Sequence, residues 1–109
     1  MSEFELSPYE KLVLGYIFYE FDGELPIPSE GRPIDYASNM IARELDKMNL
    51  AEEFAKAIES LIERGLLEVN TREGKLALTD DGEEAAASIT EDMYEDLRDF
   101  EKEELEEEF

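Results

Sequence analysis

Carboxylates are the only reactive side chains this sequence holds in abundance: 31 Asp and Glu stand against 10 Lys and Arg, with neither His nor Cys. Acid–base work by two carboxyls needs them in different environments, one desolvated enough to raise its pKa. No spacing here singles out such a pair, and solvated surface charge accounts for the acids. Asp80-Asp81 with Glu83-Glu84 is dense enough to attract Ca²⁺ or Mg²⁺ weakly. It lacks the spacing of an EF-hand loop, and acids favoured at a helix N-terminus explain it more simply. Without His there is no usual general base, zinc ligand or physiological pH switch. Without Cys there are no disulfides and no thiolate chemistry. Neither a phosphate-cradling glycine loop nor a nucleophile elbow occurs. The expectation is therefore no catalytic, cofactor-binding or metal-binding residue, and a protein that is not an enzyme.

With 42% apolar residues, including six Phe and five Tyr, 109 residues can bury one core but not two. Residues 1–100 are accordingly read as a single domain, with 101–109 as an acidic, fraying tail. The net charge of −21 is unevenly spread: residues 80–109 hold fifteen acids and two bases. Such a field repels phosphate backbones and anionic lipid. Met1-Ser2-Glu3-Phe4-Glu5 has no basic region and no apolar core of signal-peptide length, and no apolar run is long enough to span a bilayer. A cytoplasmic protein without membrane partners is expected.

These side chains must be carried by elements that the pattern makes legible. Ser7-Pro8-Tyr9-Glu10 combines a Ser N-cap, Pro at the first helical position and Glu at the third, a capping box. The following run, Lys11 to Phe21, is apolar nearly all round and predicts a helix buried on more than one side, ended by Asp22-Gly23. Residues 23–34, with three Pro and two Gly, predict a loop containing at most a short extended stretch around Leu25 and Ile27. A second helix is expected from about Asp35 to Met48, striped by Tyr36, Ala37, Met40, Ile41, Leu45 and Met48, and broken at Asn49. A third follows almost at once, Leu50 to Arg64, with Leu50, Phe54, Ala57, Ile58, Leu61 and Ile62 on one face. Two amphipathic helices joined by a tight turn form a helix-turn-helix. Gly65 supplies a C-cap; Leu66–Val69 and Lys75–Thr79, separated by a turn-rich Asn70–Gly74, predict a β-hairpin. Asp80 with Glu83 suggests a capping box opening a last helix at about Asp81, where Gly82 in the first turn costs little. Ala86, Ile89, Met93, Leu97 and Phe100 then recur at three and four residues, as in a short coiled-coil seam. The predicted class is mainly α with a small β-hairpin (α+β).

The stretch Ile58–Val69, running through Glu63-Arg64-Gly65-Leu66-Leu67, resembles the end of a winged-helix recognition helix entering its first wing strand. Leu76-Ala77-Leu78-Thr79-Asp80-Asp81-Gly82 resembles the second wing strand and the entry to a terminal helix. Over residues 8–100 the pattern is similar to MarR-like and PadR-like archaeal and bacterial transcriptional regulators. That resemblance implies a winged helix-turn-helix with an additional C-terminal helix, whose third helix enters the major groove of double-stranded DNA while the wing reaches backbone or minor groove. On this chain the implied DNA contacts are Arg72 and Lys75 at the wing tip, Arg43 and Lys47 on the second helix, and Lys56 on the third; the same basic residues also read as solubilising charges and partners of neighbouring glutamates. The rest of the third helix's exposed face would be Glu52, Glu53, Glu59, Ser60 and Glu63, which is poor for a polyanion. As in those regulators, Ile89, Met93, Leu97 and Phe100 would pair two copies into a homodimer through the first and last helices, or fold back onto the first helix.

Three readings of the acidity follow, of which the first is the expected function and the others its alternatives. One is a DNA-binding regulator of a halophilic organism, where molar salt shortens electrostatic range. Another is a protein–protein module that meets a basic partner. The third is a viral or plasmid DNA mimic occupying another protein's DNA groove.

Overall fold

A computed structural model describes residues 5–28 and 31–99. Among them are five α-helices and a small antiparallel sheet, an α+β arrangement. Helix α1, Pro8–Gly15, opens with the expected capping box. Ser7 Oγ accepts from the Glu10 amide, and a Glu10 carboxylate oxygen accepts from the Ser7 amide. Leu12, Val13, Leu14, Tyr16 and Ile17 are all buried, so this segment is enclosed on several sides, as its all-round apolarity requires. The helix then widens into a π-helical turn, Tyr16–Glu20.

Asp22 and Gly23, both at positive φ, reverse the chain into strand β1, Glu24–Pro26. This strand corrects the expectation of a loop. β1 pairs with a strand some fifty residues on, and three residues carry too little periodicity to announce themselves. Leu25, fully buried, is the one side chain of the strand facing the core. Pro26 is tolerated because β1 lies at the sheet edge, where a missing amide breaks no ladder.

Helix α2 spans Pro33–Glu44, starting two residues before and stopping four residues before its predicted limits. It ends in a Schellman motif built on Asp46 rather than Gly. Asp46, at φ 58°, donates its amide to the Arg43 carbonyl, and Lys47 donates to Ala42. A 3₁₀ turn, Met48–Leu50, leads into α3, Ala51–Glu63, so the link between the two helices is residues 45–50 rather than one or two. The second helix's expected stripe holds for Ala37, Ile41 and Leu45, whereas Tyr36 and Met48 are exposed. Helix α3 ends as anticipated: Gly65, at φ 78°, and Leu66 return their amides to Ile62 and Leu61.

Strands β2, Leu67–Asn70, and β3, Lys75–Leu78, form the predicted hairpin, with Leu67 opposite Leu78 and Asn70 opposite Lys75. The Asn70 side chain accepts from the Glu73 amide and shapes the turn. Because β1 adds to β3, the sheet has three strands in the order β1-β3-β2 rather than a lone hairpin.

The expected single terminal helix is two: α4, Asp80–Ala87, and α5, Glu91–Asp99. The N-cap of α4 is Thr79, accepting from the Gly82 amide, and not the Asp80 pair. Gly82 is more constrained than its propensity suggests, for an added Cβ would lie 1.9 Å from the Leu66 carbonyl oxygen. At the break, Ser88 Oγ donates to the Ala85 carbonyl and Thr90 Oγ1 accepts from the Met93 amide, so both ends are satisfied by side chains. The bend rotates the apolar stripe. Tyr94, rather than Met93, points inward and packs on Gly15 of α1, where a Cβ would come within 2.6 Å of its ring.

Candidate functional site

The five basic residues expected to meet DNA fall on five different pieces of chain: Arg43 on the last turn of α2, Lys47 in the link, Lys56 on α3, Arg72 in the hairpin turn and Lys75 on β3. Arg43 and Arg72 are exposed. Lys47 is only 8% exposed, which withdraws it from the surface. Lys56 lies 3.7 Å from Glu52, one turn back on the same helix. Lys75 is held between two carboxylates, at 2.8 Å from Glu24 of β1 and 3.2 Å from Glu73 of the turn. Hydrogen bonds to Glu24, then to Glu73, keep its ammonium above the ordinary lysine pKa. It stays charged, and its charge is already answered. Pairing with a neighbouring glutamate was an open reading, but Glu24 was not legible as a partner because it reaches Lys75 only through the β1–β3 pairing.

On α3, Glu52, Glu59 and Glu63 are exposed as expected, whereas Glu53 is half-buried. Ser60 does not belong to that outer face. Its Oγ donates to Glu10 of α1 at 2.8 Å, and Arg64 donates to the same carboxylate oxygen at 3.2 Å. Glu10 is buried, and with the Ser7 amide it accepts three hydrogen bonds. This network ties α1 to the end of α3 across more than fifty residues, and its partners were not legible from spacing.

A second polar cluster lies at the far end of the α1 segment. Tyr94 and Arg98 of α5 both donate to Glu20, at 3.3 and 2.9 Å, and the Arg98 guanidinium sits 5.6 Å from the Tyr94 ring centroid. Tyr19 stacks on Tyr94 and donates to the Ile89 carbonyl at the α4–α5 bend. Burial, then the Glu44 and Glu20 carboxylates, pushes the Tyr16 phenol up to about 12, with Arg98 opposing. Burial raises Tyr94 as well.

Of the residues expected to form a dimer seam, Ile89 and Leu97 are buried within this chain, in the same hydrophobic cluster as α1. The fold-back reading accounts for them. Met93 is 39% exposed, and Phe100 and the predicted tail 101–109 lie outside the described residues.

Asp80, Asp81 and Glu83 occupy the first turn of α4. Among the described residues no three carboxylates converge as metal ligands would, and no helix is long and apolar enough to cross a membrane. No family model, curated protein or solved structure matches the chain.

Proposed function

We propose that this chain is a non-catalytic winged-helix module whose α3 and hairpin face engages a basic protein surface. The order of α1, α2, α3 and hairpin supports the winged-helix part, as does the Gly65 exit from α3 into β2. The engagement of Lys56 and Lys75 by neighbouring glutamates carries the rest. A duplex binder gains affinity when lysines and arginines release counterions from phosphates. Here Lys75 would first have to leave two carboxylates, while Glu52, Glu59 and Glu63 repel the same backbone. A cationic protein surface meets the opposite situation, in which those carboxylates steer and hold it.

Arg43 and Arg72, exposed and meeting no carboxylate among the described residues, favour the second reading, a DNA-binding regulator working at high salt. Anisotropy titrations of the protein against a lysine-rich polypeptide and against duplex DNA, at low salt and in molar potassium salt, separate the two. The first reading expects polypeptide binding that salt weakens and that Glu59→Lys with Glu63→Lys abolishes, with no duplex binding. Duplex binding in molar salt that Arg72→Glu removes would overturn it in favour of the regulator.

A further inference from the structure

Helix α5 is held to the rest of the chain by few contacts. Among its nine residues only Tyr94 and Leu97 are buried. The Tyr94 ring lies against Gly15 and stacks on Tyr19. The ion pair of Arg98 with Glu20, at 2.9 Å, is more than a third exposed on both sides, and such pairs hold weakly in water. The bend before α5 is closed on the α4 side without its help: the amides of Ser88 and Ile89 return to Ala85 and Ala86, and Ser88 Oγ donates to Ala85. Helix α5 can therefore come away without unwinding α4.

Against these contacts stands charge. Helix α5 carries Glu91, Asp92, Glu95, Asp96 and Asp99 against Arg98 alone, and it lies beside acids rather than bases. A cleft of about 240 Å³ next to the π-helical turn is lined by Tyr16, Glu20, Phe21, Glu44 and Arg98. The adjoining groove is lined by Glu44, Leu45 and Asp46 from the end of α2 and by Glu95, Arg98 and Asp99 from α5. Two carboxylates of α5 thus share one groove with two of the α2 end. None of these four meets a basic side chain within salt-bridge distance among the described residues. Arg98, the cation of the groove, is already on Glu20.

We infer that α5 is a salt-gated strap. Apolar contact closes it on α1, like charge across the groove opens it, and ionic strength decides between the two. They differ in reach. Repulsion between exposed carboxylates extends over roughly 30 Å at about 0.01 M salt and roughly 3 Å at about 1 M, whereas the packing of Tyr94 and Leu97 does not depend on screening. Closed, the strap covers Gly15 and the Tyr19 ring; open, it offers that face of α1 to the surroundings. The gating belongs to α5 and not to the whole fold, because Leu12, Ile41 and Phe54 bury α1, α2 and α3 together in an apolar core.

Amide hydrogen exchange on the full chain, in about 0.01 M and about 1 M potassium chloride, reads the strap directly. A detached helix of nine residues is marginal in water, so release appears as lost protection. Protection over residues 94–99 should rise about tenfold in molar salt, while that of α3 changes less than about threefold. Neutralising one wall of the groove should do what salt does. Glu44→Gln with Asp46→Asn should raise α5 protection about tenfold at low salt and leave it unaltered in molar salt. Asn suits position 46, where φ is 58°. Asp81→Asn with Glu83→Gln, the same charge change on α4, should alter α5 protection less than about twofold. Equal protection of α5 at the two salts would overturn the strap. So would α5 and α3 losing protection together, a neutralised groove variant as salt-sensitive as the parent, or an α4 variant that matches it.

Discussion

The two ends of the α1 segment make a natural comparison. Each carries a glutamate clamped by an arginine from a distant helix: Glu10 by Arg64 at one end, Glu20 by Arg98 at the other. The Glu10 side chain is 8% exposed and that of Glu20 39%. At the first end the Glu10 carboxylate accepts from Ser60, Arg64 and the Ser7 amide. At the second, Glu20 accepts from Tyr94 and Arg98 with water close by. The same pair of residue types is thus a buried rivet at one end and a half-exposed latch at the other. Burial makes the difference.

The sharpest way to break this comparison is to remove both acids in turn. Glu10→Ala leaves Ser60, Arg64 and the Ser7 amide without their acceptor and deletes half of the capping box. It should cost about 2–4 kcal/mol in urea unfolding. Glu20→Ala removes a half-exposed pair and should cost under about 1 kcal/mol. Equal losses would mean that the two ends are not different in kind.

Gly15→Ala acts between them. Its Cβ would meet the Tyr94 ring at 2.6 Å, and that ring, buried between α1 and the bend, has little room to yield. Overpacking of this sort costs about 1–3 kcal/mol, against which alanine's better helix propensity returns roughly 0.5–1. The melting temperature should fall, and amide shifts should change around Tyr94 and Arg98 while those around Ser60 and Arg64 stay in place. Perturbation at Ser60 would show the two ends to be one unit.

The smallest effect is alkaline. Tyr16 titrates near 12 in the folded chain against 10.0 for its ordinary value, so between these the folded state holds the proton more firmly than the unfolded. Its contribution is complete below pH 10 and is lost as pH rises from about 10 to about 12. Tyr94 shifts in the same direction. Urea midpoints measured across that window should fall less steeply for Tyr16→Phe than for the parent; an unchanged slope would place the Tyr16 phenol in water.

The Glu10 end was half legible in the sequence, and the Glu20 end hardly at all. Ser7-Pro8-Tyr9-Glu10 announces its own capping box because all its partners lie within four residues, as the Gly65 exit and the Asn70–Gly74 turn do for theirs. Ser60 read as a surface residue because its acceptor, Glu10, is fifty residues away. β1 escaped because its pairing is equally remote. The unbroken stripe through Met93 is interrupted for a local reason: Ser88 and Thr90 satisfy helix ends at Ile89, and a bend there turns Tyr94 inward where an unbroken helix would have placed Met93. With the helix split, Arg98 comes to Glu20 and forms the cleft. Lys75 read as a wing-tip cation because Glu24 was assigned to a loop. The remote misses share one cause: a period describes a single element, and a site depends on which elements meet.

Thr79 has a mechanical consequence. Its hydroxyl donates to the Gly65 carbonyl at 2.6 Å and accepts from the Gly82 amide at 3.0 Å, while Gly82 leaves no space against Leu66. The end of α3, the base of the hairpin and the start of α4 are thereby welded at one point. A tilt of the hairpin cannot be absorbed there and has to be passed to α4 and the bend beyond it. For an engineer this sorts the chain into graftable and ungraftable positions. Thr71 and Arg72, exposed at the tip of the turn, are the place to insert sequence, whereas Gly82 does not accept even a methyl group.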